Sequence, residues 1–450
     1  MGTVEIPADA LYQAQTQRAL DNFKISSLHL PDAVIHALAL IKKACAETNF
    51  ELEKLDQPRQ LAIQEAVESI ISGQYADQFP VDVFQTGSGT SSNMNVNEVI
   101  ATLASRDELN VHPNDHVNMG QSSNDVFPSA IHIAAARSVH EQLLPAVQTL
   151  EAALIGRMQQ HHQTIKTGRT HLMDAMPVSL EQEISAWASQ LKNDRYRMQT
   201  TLTRLQQLAI GGTAVGTGVN TTPDFGQRVC EKLQAASGVR FIPMENLFEG
   251  LSTQNTTLEL SGQLRVLATS LTKISNDLRW MNSGPLTGLG EIQLEALQPG
   301  SSIMPAKVNP VIPEAVLMVA AQVIGNDTTI SVAAQSGNFQ LNVMLPVIAY
   351  NLLQSIEILS SASLHLARVI DTFAVNGDAM VKNLAFNPIL VTALNPIIGY
   401  QQAAEIAKTA LRQKRPILEV ALEMTNISEA RLKELLDPAK LVRNHPENAN

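Results

Sequence analysis

The sequence lacks the features of a metal cluster, a disulfide framework or a nucleic-acid interface. Its 450 residues include two cysteines, Cys45 and Cys230, which lie far apart and form no C-x-x-C pair. Two thiols are too few for an iron–sulfur cluster, and a reducing compartment without structural disulfides is expected. The formal net charge is -11 and no basic run occurs, so nucleic acid is not an expected partner.

Charged and aromatic residues are also scarce, at 17% and 4% of the chain, whereas 44% of the residues are hydrophobic. A chain of this length predicts two or three domains, and the low charge indicates a surface partly covered by other subunits. No stretch reaches the roughly 18 unbroken apolar residues that a membrane span requires. The opening residues MGTVEIPADALYQ lack the basic and apolar regions of a signal peptide, which predicts a cytoplasmic location.

Proline is absent from four long windows, residues 178–222, 244–284, 314–345 and 347–387. Helix interiors exclude proline because its ring removes a donor and clashes with the preceding turn. Two of the windows also carry apolar residues at steps of three or four, which is helical periodicity. These positions are Ile184, Trp187, Ala188, Leu191, Met198, Leu202, Leu205 and Leu208 in the first window, and Leu264, Leu267, Leu271, Ile274, Leu278 and Met281 in the second. We therefore expect a bundle of long helices with little strand.

Four short segments rich in Ser, Thr, Asn and Gly interrupt this helical pattern. They are TGSGTSSNMNVN at 86–97, HPNDHVNMGQSSND at 112–125, GRTHLMD at 168–174 and GSSIMPAKVNP at 300–310. Each reads as a loop, and each alone is typical of caps and turns. Because all four are dense in neutral hydrogen-bond donors, together they predict a binding site for a small polar anion.

Several familiar sites find no support. Ser92 stands where a dinucleotide-binding loop needs its third glycine, and GGTAVGTG at 211–218 lacks the Gly-Lys pair of a phosphate loop. There is no G-x-S-x-G elbow. His112 and His116 are four residues apart, but Pro113 follows the first and no H-E-x-x-H occurs, so no metal site is expected.

The four polar segments resemble the signature regions of the fumarase/aspartase superfamily, and GSSIMPAKVNP is the most specific of them. The similarity extends to both ends of the chain. PADALYQAQTQRALDNFKIS near the start and NPIIGYQQAAEIAKTAL near the end are similar to class II fumarases.

The resemblance implies an all-α, three-domain fold. It consists of an N-terminal helical domain at 1–121, a central long-helix bundle at 122–372 and a small C-terminal helical domain at 373–450. In this family four subunits form a homotetramer around a twenty-helix core, and each active site lies where three subunits meet. No cofactor and no metal are implied.

The implied activity is the reversible hydration of fumarate to L-malate through a carbanion. Such chemistry needs a base, an acid for the departing hydroxyl and donors for the charged carboxylate. By the resemblance, Ser301 is the base and Lys307 stands near it and the substrate carboxylate. His171, oriented by Glu314, handles the proton of the water.

The resemblance also assigns the residues that bind the two carboxylates of the substrate. These residues are Ser88, Gly89, Thr90, Ser122, Ser123, Asn124, Thr170, Ser302, Lys307, Val308 and Asn309. A second, accessory anion site would be formed by His112, Pro113, Asn114 and Asp115, where Leu109 replaces a basic residue of some relatives.

Two other functions stay open at this point. MPAKVNPVIPE also resembles some aspartate ammonia-lyases, although Ser123 stands where those enzymes tend to carry threonine. The superfamily includes noncatalytic structural proteins as well. Retention of Ser301, Lys307, His171 and Glu314 together argues for an enzyme.

Overall fold

The computed structural model describes residues 2–106, 108–382 and 384–442, and most of these residues are helical. The α-helices of this part of the chain are α1 (Ala14–Asn22), α2 (Asp32–Glu51), α3 (Gln57–Ile71), α4 (Thr90–Ala104), α5 (Ser123–Ser138), α6 (Leu144–Gln160), α7 (Leu180–Leu205), α8 (Phe225–Ser237), α9 (Leu247–Ser252), α10 (Asn255–Met281), α11 (Val311–Ala334), α12 (Leu345–Thr372), α13 (Gly377–Val381), α14 (Asn395–Ile398), α15 (Tyr400–Gln413), α16 (Ile417–Met424), α17 (Glu429–Leu435) and α18 (Pro438–Leu441). Two π-helical turns, Pro113–Val117 and Val139–Leu143, precede and follow α5.

The strands of the described residues are short and pair two at a time. They are β1 (Ile165–Thr170), β2 (Met173–Ser179), β3 (Gln207–Leu208), β4 (Ile242–Pro243), β5 (Ile292–Gln293), β6 (Gly337–Asn338), β7 (Leu341–Asn342) and β8 (Ala374–Val375). The pairs β1–β2, β5–β8 and β6–β7 are antiparallel, and β3–β4 is parallel. The expected mainly helical fold is therefore confirmed, with one hairpin, β1–β2, that the sequence did not predict.

The chain divides into two compact units. The first contains Met1–Ala146, Asp194–Thr269 and Val319–Ser361, and the second contains Val147–Asn193, Ser270–Met318 and Ala362–Asn450. The three domain limits inferred from the sequence stay a prediction.

In the first unit, α2 is surrounded by α3, α5 and α8. Apolar residues on several sides of α2, among them Val34, Leu38 and Ile41, are fully buried. A helix enclosed in this way has almost no solvent-facing side, so a polar residue in its middle is forced into the core. Lys42 occupies such a position and is completely buried.

In the second unit, the hairpin β1–β2 packs against α13, α18 and the 3₁₀ segment Pro388–Leu394. The side-chain amide of Asn387 donates to the carbonyl of Ala175 in β2 at 2.8 Å. The C-terminal helices have their own hydrophobic cluster, formed by Leu390, Val391, Leu394, Ala403, Ile406, Ala410, Ile417, Val420, Ala421, Leu432 and Leu436. The hairpin is thus fixed on a packed helical base.

The long helices α7 and α10 follow the predicted periodicity. Trp187, Leu191 and Met198 of α7 are fully buried, as are Leu264, Leu267, Leu271, Ile274 and Leu278 of α10. Leu208 is also buried, but it lies beyond the end of α7, in β3. Its inclusion in the helical pattern was wrong because a single buried leucine near a helix end fits either structure.

Among the described residues, α11 is the one helix long and apolar enough to cross a membrane, with a mean hydropathy of 1.3 over its most apolar window. A bundle helix of a soluble protein passes the same test. Asn326 of α11 donates to the hydroxyl of Ser355 at 3.0 Å, and Asp327 accepts from Ser261 at 2.7 Å. These bonds join α11 to α12 and α10 as a helix of the bundle.

Candidate active site

The first polar segment forms a tight turn into α4. Gly89 precedes the helix with φ 72°, in the left-handed region, and a Cβ there would meet the Phe127 ring at 2.1 Å. The hydroxyls of Ser88 and Thr90 lie 2.7 Å apart across this glycine. The turn therefore presents two hydroxyls at the N-terminus of a helix, where negative charge is stabilised.

The second segment enters α5 through a capping box. Ser122 accepts the N–H of Asn124 at 3.2 Å, and Asp125 accepts the N–H of Ser122 at 3.0 Å. The Asn124 amide donates to the carbonyl of Ala214 at 2.8 Å. This arrangement fixes Ser122, Ser123 and Asn124 in the first turn of a helix.

Reading residues 86–97 and 112–125 entirely as loops was therefore wrong. Thr90–Asn97 belong to α4, Pro113–Val117 form a π-helical turn and Ser123–Asp125 begin α5. The polar side chains obscured the helices because Ser and Asn have weak helix propensity. The spacing Ser-x-x-Asp at 122–125 is the one sequence signal that indicates the start of α5.

Asp125 is fully buried behind this helix start. Its carboxylate accepts the N–H groups of Gly211 and Thr213 at 3.0 and 2.9 Å. Burial raises the pKa of Asp125 to about 6, although the backbone donors and the nearby Lys42 oppose that increase. Asp125 thereby ties the second polar segment to the glycine-rich stretch at 211–218.

The third segment is the tip of the β1–β2 hairpin, not a free loop. Thr170 pairs with Met173, so His171 and Leu172 are the two turn residues. Their φ angles are 56° and 60°, as in a type I′ turn, which normally carries Asn or Gly. Side chains held in this left-handed conformation are strained, and such strain is concentrated at functional sites. Both Thr170 and His171 are exposed.

A buried charge cluster lies below this tip. The Lys166 ammonium contacts the carboxylates of Glu183 and Glu291, the latter at 2.9 Å. Arg169 binds the other oxygen of Glu291 at 2.6 Å. Two cations and two carboxylates thus join the hairpin to α7 and to the segment before β5, within the second unit.

The fourth segment is a closed loop whose two ends are bonded together. The N–H of Gly300 donates to the carbonyl of Lys307 at 2.7 Å, and the Asn309 amide donates to the carbonyl of Gly300 at 2.8 Å. A Cβ at Gly300 would lie 2.4 Å from that Lys307 oxygen, so a larger residue is excluded. Ala306 holds φ 68°, where a glycine would be unstrained.

Ser301 lies inside this loop. Its Oγ accepts the backbone N–H groups of Ile303 and Met304 at 3.2 and 3.0 Å. The Lys307 ammonium donates to the Asn309 side chain at 2.7 Å. The loop side chains at 302–308 are exposed, with Ile303 84% accessible.

His171 and Glu314 lie in different elements of the second unit, the β1–β2 turn and the helix α11. Glu314 is in the first turn of α11, where its N–H donates to the carbonyl of Pro310 at 3.1 Å. Across residues 2–106, 108–382 and 384–442, no ion pair or hydrogen bond joins its carboxylate to His171. The pairing of these two residues therefore stays a prediction.

The residues assigned to the accessory anion site form the π-helical turn. The Nδ1 atom of His112 accepts the N–H groups of Asn114 and Asp115 at 3.3 and 3.2 Å. The carboxylate of Asp115 lies 3.3 Å from the same atom. A carboxylate here opposes anion binding, so the role of this turn stays a prediction.

Over the described ranges, no group of three or more His, Cys, Asp or Glu side chains is placed to hold a metal ion. The residues brought together are instead hydroxyls, amides and a helix start in the first unit, and a serine loop with one lysine in the second. A mainly helical chain that carries these segments defines a lyase of the fumarase/aspartase type.

Comparisons with known proteins agree with this class. The family model described as Lyase matches residues 2–325, and the model described as Fumarase C C-terminus matches residues 390–443. Class II fumarate hydratase 2 of Pseudomonas aeruginosa is 57% identical over 444 residues, covering 98% of this chain and 97% of that protein. Class II fumarate hydratase of Xylella fastidiosa is 55% identical, covering 98% of this chain and 94% of that protein.

The fold agrees as well. The crystal structure of the class II fumarase from Schistosoma mansoni matches with a TM-score of 0.95 and 38% identity, covering 98% of this chain and 97% of that one. The chain belongs to the class II fumarase family. The family resemblance inferred from the four polar segments and the two chain ends is confirmed.

Some residues around the site were missed from the sequence alone. Lys42 and Asn93, both completely buried, lie behind the Ser122–Asn124 turn. Arg169 and Glu291 lie below the His171 turn. A lysine inside the apolar run VIHALALIKKACA of α2 is the signal that could have drawn attention to Lys42.

Proposed function

We propose that this chain is a hydro-lyase that hydrates fumarate reversibly to L-malate. The observation that carries the proposal is the Ser301 hydroxyl oxygen, which faces two backbone N–H donors inside a closed, exposed loop. Membership of the class II fumarase family supports the same reaction.

In the dehydration direction, Ser301 removes the proton from C3 of malate. A serine hydroxyl is a weak base unless its oxyanion is stabilised. Hydrogen bonds to the charged form stabilise it, and the N–H groups of Ile303 and Met304 supply two of them. The resulting carbanion delocalises into the adjacent carboxylate, where its extra charge needs donors.

Lys307 supplies the main positive charge for that carboxylate, together with neutral donors. The hydroxyls of Ser88 and Thr90 at the start of α4, and those of Ser122 and Ser123 at the start of α5, suit a carboxylate at a helix N-terminus. The remaining assigned contacts are Gly89, Asn124, Thr170, Ser302, Val308 and Asn309.

His171 then protonates the departing hydroxyl, and in the reverse direction it takes a proton from the attacking water. Glu314 orients the imidazole ring. The strained turn that holds His171 at the hairpin tip supports a functional position for this side chain.

We further propose a homotetramer in which the active sites are shared between three subunits. Over the described stretches of one chain, no hydrogen bond or ion pair joins His171 to Glu314, so we assign their pairing to contacts between copies. The apolar helix α11 has only 33% of its most apolar window buried, and Met318 is 68% exposed. Apolar helix faces of this kind are stabilised by burial against another subunit.

Two further assignments remain part of this proposal. The enzyme is cytoplasmic, as the sequence predicts, and the His112–Asp115 turn binds a second anion weakly. The carboxylate of Asp115 next to His112 supports a low affinity there.

The experiment that tests the reaction is an assay of fumarate absorbance with purified protein. Loss of fumarate in ammonia-free buffer, with L-malate as the product, is expected. Consumption that requires ammonia would assign the chain to the aspartate ammonia-lyases instead. No consumption by a correctly folded tetramer under either condition would favour a noncatalytic role.

A further inference from the structure

A completely buried lysine lies behind the α4 and α5 helix starts. The Lys42 ammonium donates to the side-chain oxygens of Asn93, Asn118 and Gln121 at 2.7, 2.9 and 2.9 Å. Throughout the described ranges, Lys42 is in no ion pair. Its three N–H groups are therefore all used on neutral amides, an unusual environment for a buried cation.

Burial of this cation is not needed to fill the core. Leucine or methionine would occupy the same volume without the loss of hydration that an ammonium suffers. That loss lowers the pKa of Lys42 to about 7, although the nearby Asp125 carboxylate on α5 acts in the opposite direction. A side chain that is unfavourable for stability at its position suggests a role in function.

The three amides come from the two polar segments of the first unit. Asn93 is in the first turn of α4, close to Ser88 and Thr90, whereas Asn118 and Gln121 precede the Ser122–Asn124 turn. The Nζ atom of Lys42 is therefore hydrogen-bonded both to α4 and to the segment that leads into α5. Asn93 also bonds to α5, since its Nδ2 atom donates to the Oγ atom of Ser123 at 2.9 Å.

Lysine determines which way these amides point. An ammonium has donors and no acceptor, so only the oxygen of Asn93 can face it. The NH₂ group of Asn93 must then face Ser123, and the Ser123 oxygen becomes an acceptor toward the protein. The orientation of Gln121 agrees, since its own NH₂ group donates to the carbonyls of Val117 and Met119 at 3.0 and 3.2 Å.

The hydroxyl hydrogen of Ser123 is consequently directed away from Asn93. Within the described residues it is donated to no protein acceptor. Since the hydrogen of this hydroxyl is not used within the protein, Ser123 can donate it to a carboxylate at the start of α5.

We propose that Lys42 is a positioning residue that acts through Asn93 to make Ser123 a hydrogen-bond donor to a substrate carboxylate. The inference rests on the proposed function, because it takes the α4 and α5 helix starts as the carboxylate site. Lys42 itself does not touch the substrate.

The substitution Asn93→Asp tests the relay with little change in shape. One carboxylate oxygen would still accept from Lys42, now with opposite charge, so the fold is retained. The other oxygen would face Ser123 and accept its hydroxyl hydrogen, which removes the donor from the substrate and places a negative charge near it. KM for fumarate and for malate is expected to rise about 10- to 100-fold, as for loss of a hydrogen bond to a charged group, with a smaller change in kcat.

Asn118→Asp is the matched comparison. It adds the same charge beside Lys42, but Asn118 is hydrogen-bonded to Asn93, Asn97 and Gln121. Within the described residues, no hydrogen bond joins it to Ser123. Its KM increase is expected to be at least several-fold smaller than that of Asn93→Asp. Equal KM values for the two variants would mean that charge near Lys42, and not the orientation of Ser123, controls binding, and would overturn the proposal.

A second variant removes the cation itself. Lys42→Met has similar length, and without Lys42 the Asn93 amide can rotate, so KM should again rise while subunit assembly is unchanged. Parallel losses of kcat and folded tetramer with unchanged KM would indicate a purely structural role. Wild-type protein inactive on fumarate would refute the proposed function, whereas active wild type with an unaltered Asn93→Asp variant would refute this inference alone.

Discussion

The guanidinium of Arg169 binds the carboxylate of Glu291 at 2.6 Å, immediately before the hairpin tip that carries Thr170 and His171. The same carboxylate contacts the buried Lys166. Glu291 is thus the common partner of two cations in β1. Through it, the position of the hairpin depends on an ion pair whose carboxylate is almost fully buried.

Glu291→Gln is expected to destabilise the protein by about 3 kcal/mol, because it leaves Lys166 and Arg169 with one fewer carboxylate in a buried setting. Turnover should fall as well, since His171 loses its fixed support. Chemical unfolding and kcat measure the two effects. The control is Glu295→Gln, whose partner Arg368 is exposed and 3.4 Å away, and its effect should stay below about 1 kcal/mol. Equal effects of the two variants would contradict the role assigned to Glu291.

Because of His132, we expect the protein to lose stability against unfolding at acidic pH. It is fully buried in α5, and its Nδ1 lies 2.8 Å from the carbonyl of Gln207. Burial lowers its pKa to about 4, although hydrogen bonds to the Gln207 and Leu205 carbonyls act in the opposite direction. The unfolded chain, with a histidine pKa near 6.5, binds more protons between about pH 4 and pH 6.5. Stability from neutral His132 is therefore complete above pH 6.5 and is lost as the pH falls toward 4.

His132→Gln keeps a neutral donor and removes this titration. Between pH 7.5 and pH 5, wild type should lose about 2 kcal/mol more unfolding free energy than the variant. Asp125, whose pKa is raised to about 6, contributes with the opposite sign but is present in both proteins and cancels in the comparison. Identical pH dependence of unfolding in the two proteins would show that His132 does not titrate in this range.

The proposed sharing of active sites between subunits predicts complementation. The Ser301→Ala and His171→Asn variants should each be nearly inactive, because each lacks one proposed proton-transfer group at every site. After subunit exchange, mixed tetramers should recover part of the wild-type activity, since some sites then combine an intact Ser301 with an intact His171. Mass spectrometry of differently tagged subunits verifies the exchange. Inactive tetramers of proven mixed composition would argue against shared sites.

The long helices could be predicted because their signal is local. The proline-free windows are visible in the sequence, and so is the three- or four-residue spacing of Trp187 and Leu191 and of Leu264 and Leu267. These residues are buried in α7 and α10. The sequence also contains a signal for the start of α5, the Ser122–Asp125 spacing of a capping box. The neighbouring residues favour turns, so the segment was interpreted as a loop.

The hairpin and the buried networks could not be predicted in the same way. His171 and Leu172 are not typical residues of a type I′ turn, and the strands on either side depend on packing against the C-terminal helices. The contacts of Lys42 involve residues 51 to 79 positions away along the chain. Such long-range contacts form only in the folded unit, so the sequence can show that Lys42 interrupts an apolar run but cannot show which residues it bonds.

Removal of the C3 proton of malate by the Ser301 oxygen is tested most directly by measuring malate dehydration by Ser301→Ala. We expect kcat to fall by about 10²- to 10⁴-fold, the usual contribution of a general base, in a protein whose stability and subunit assembly match the wild type. The neighbouring Ser302→Ala variant should mainly raise KM. Turnover by Ser301→Ala within a few-fold of wild type would show that Ser301 is not the base.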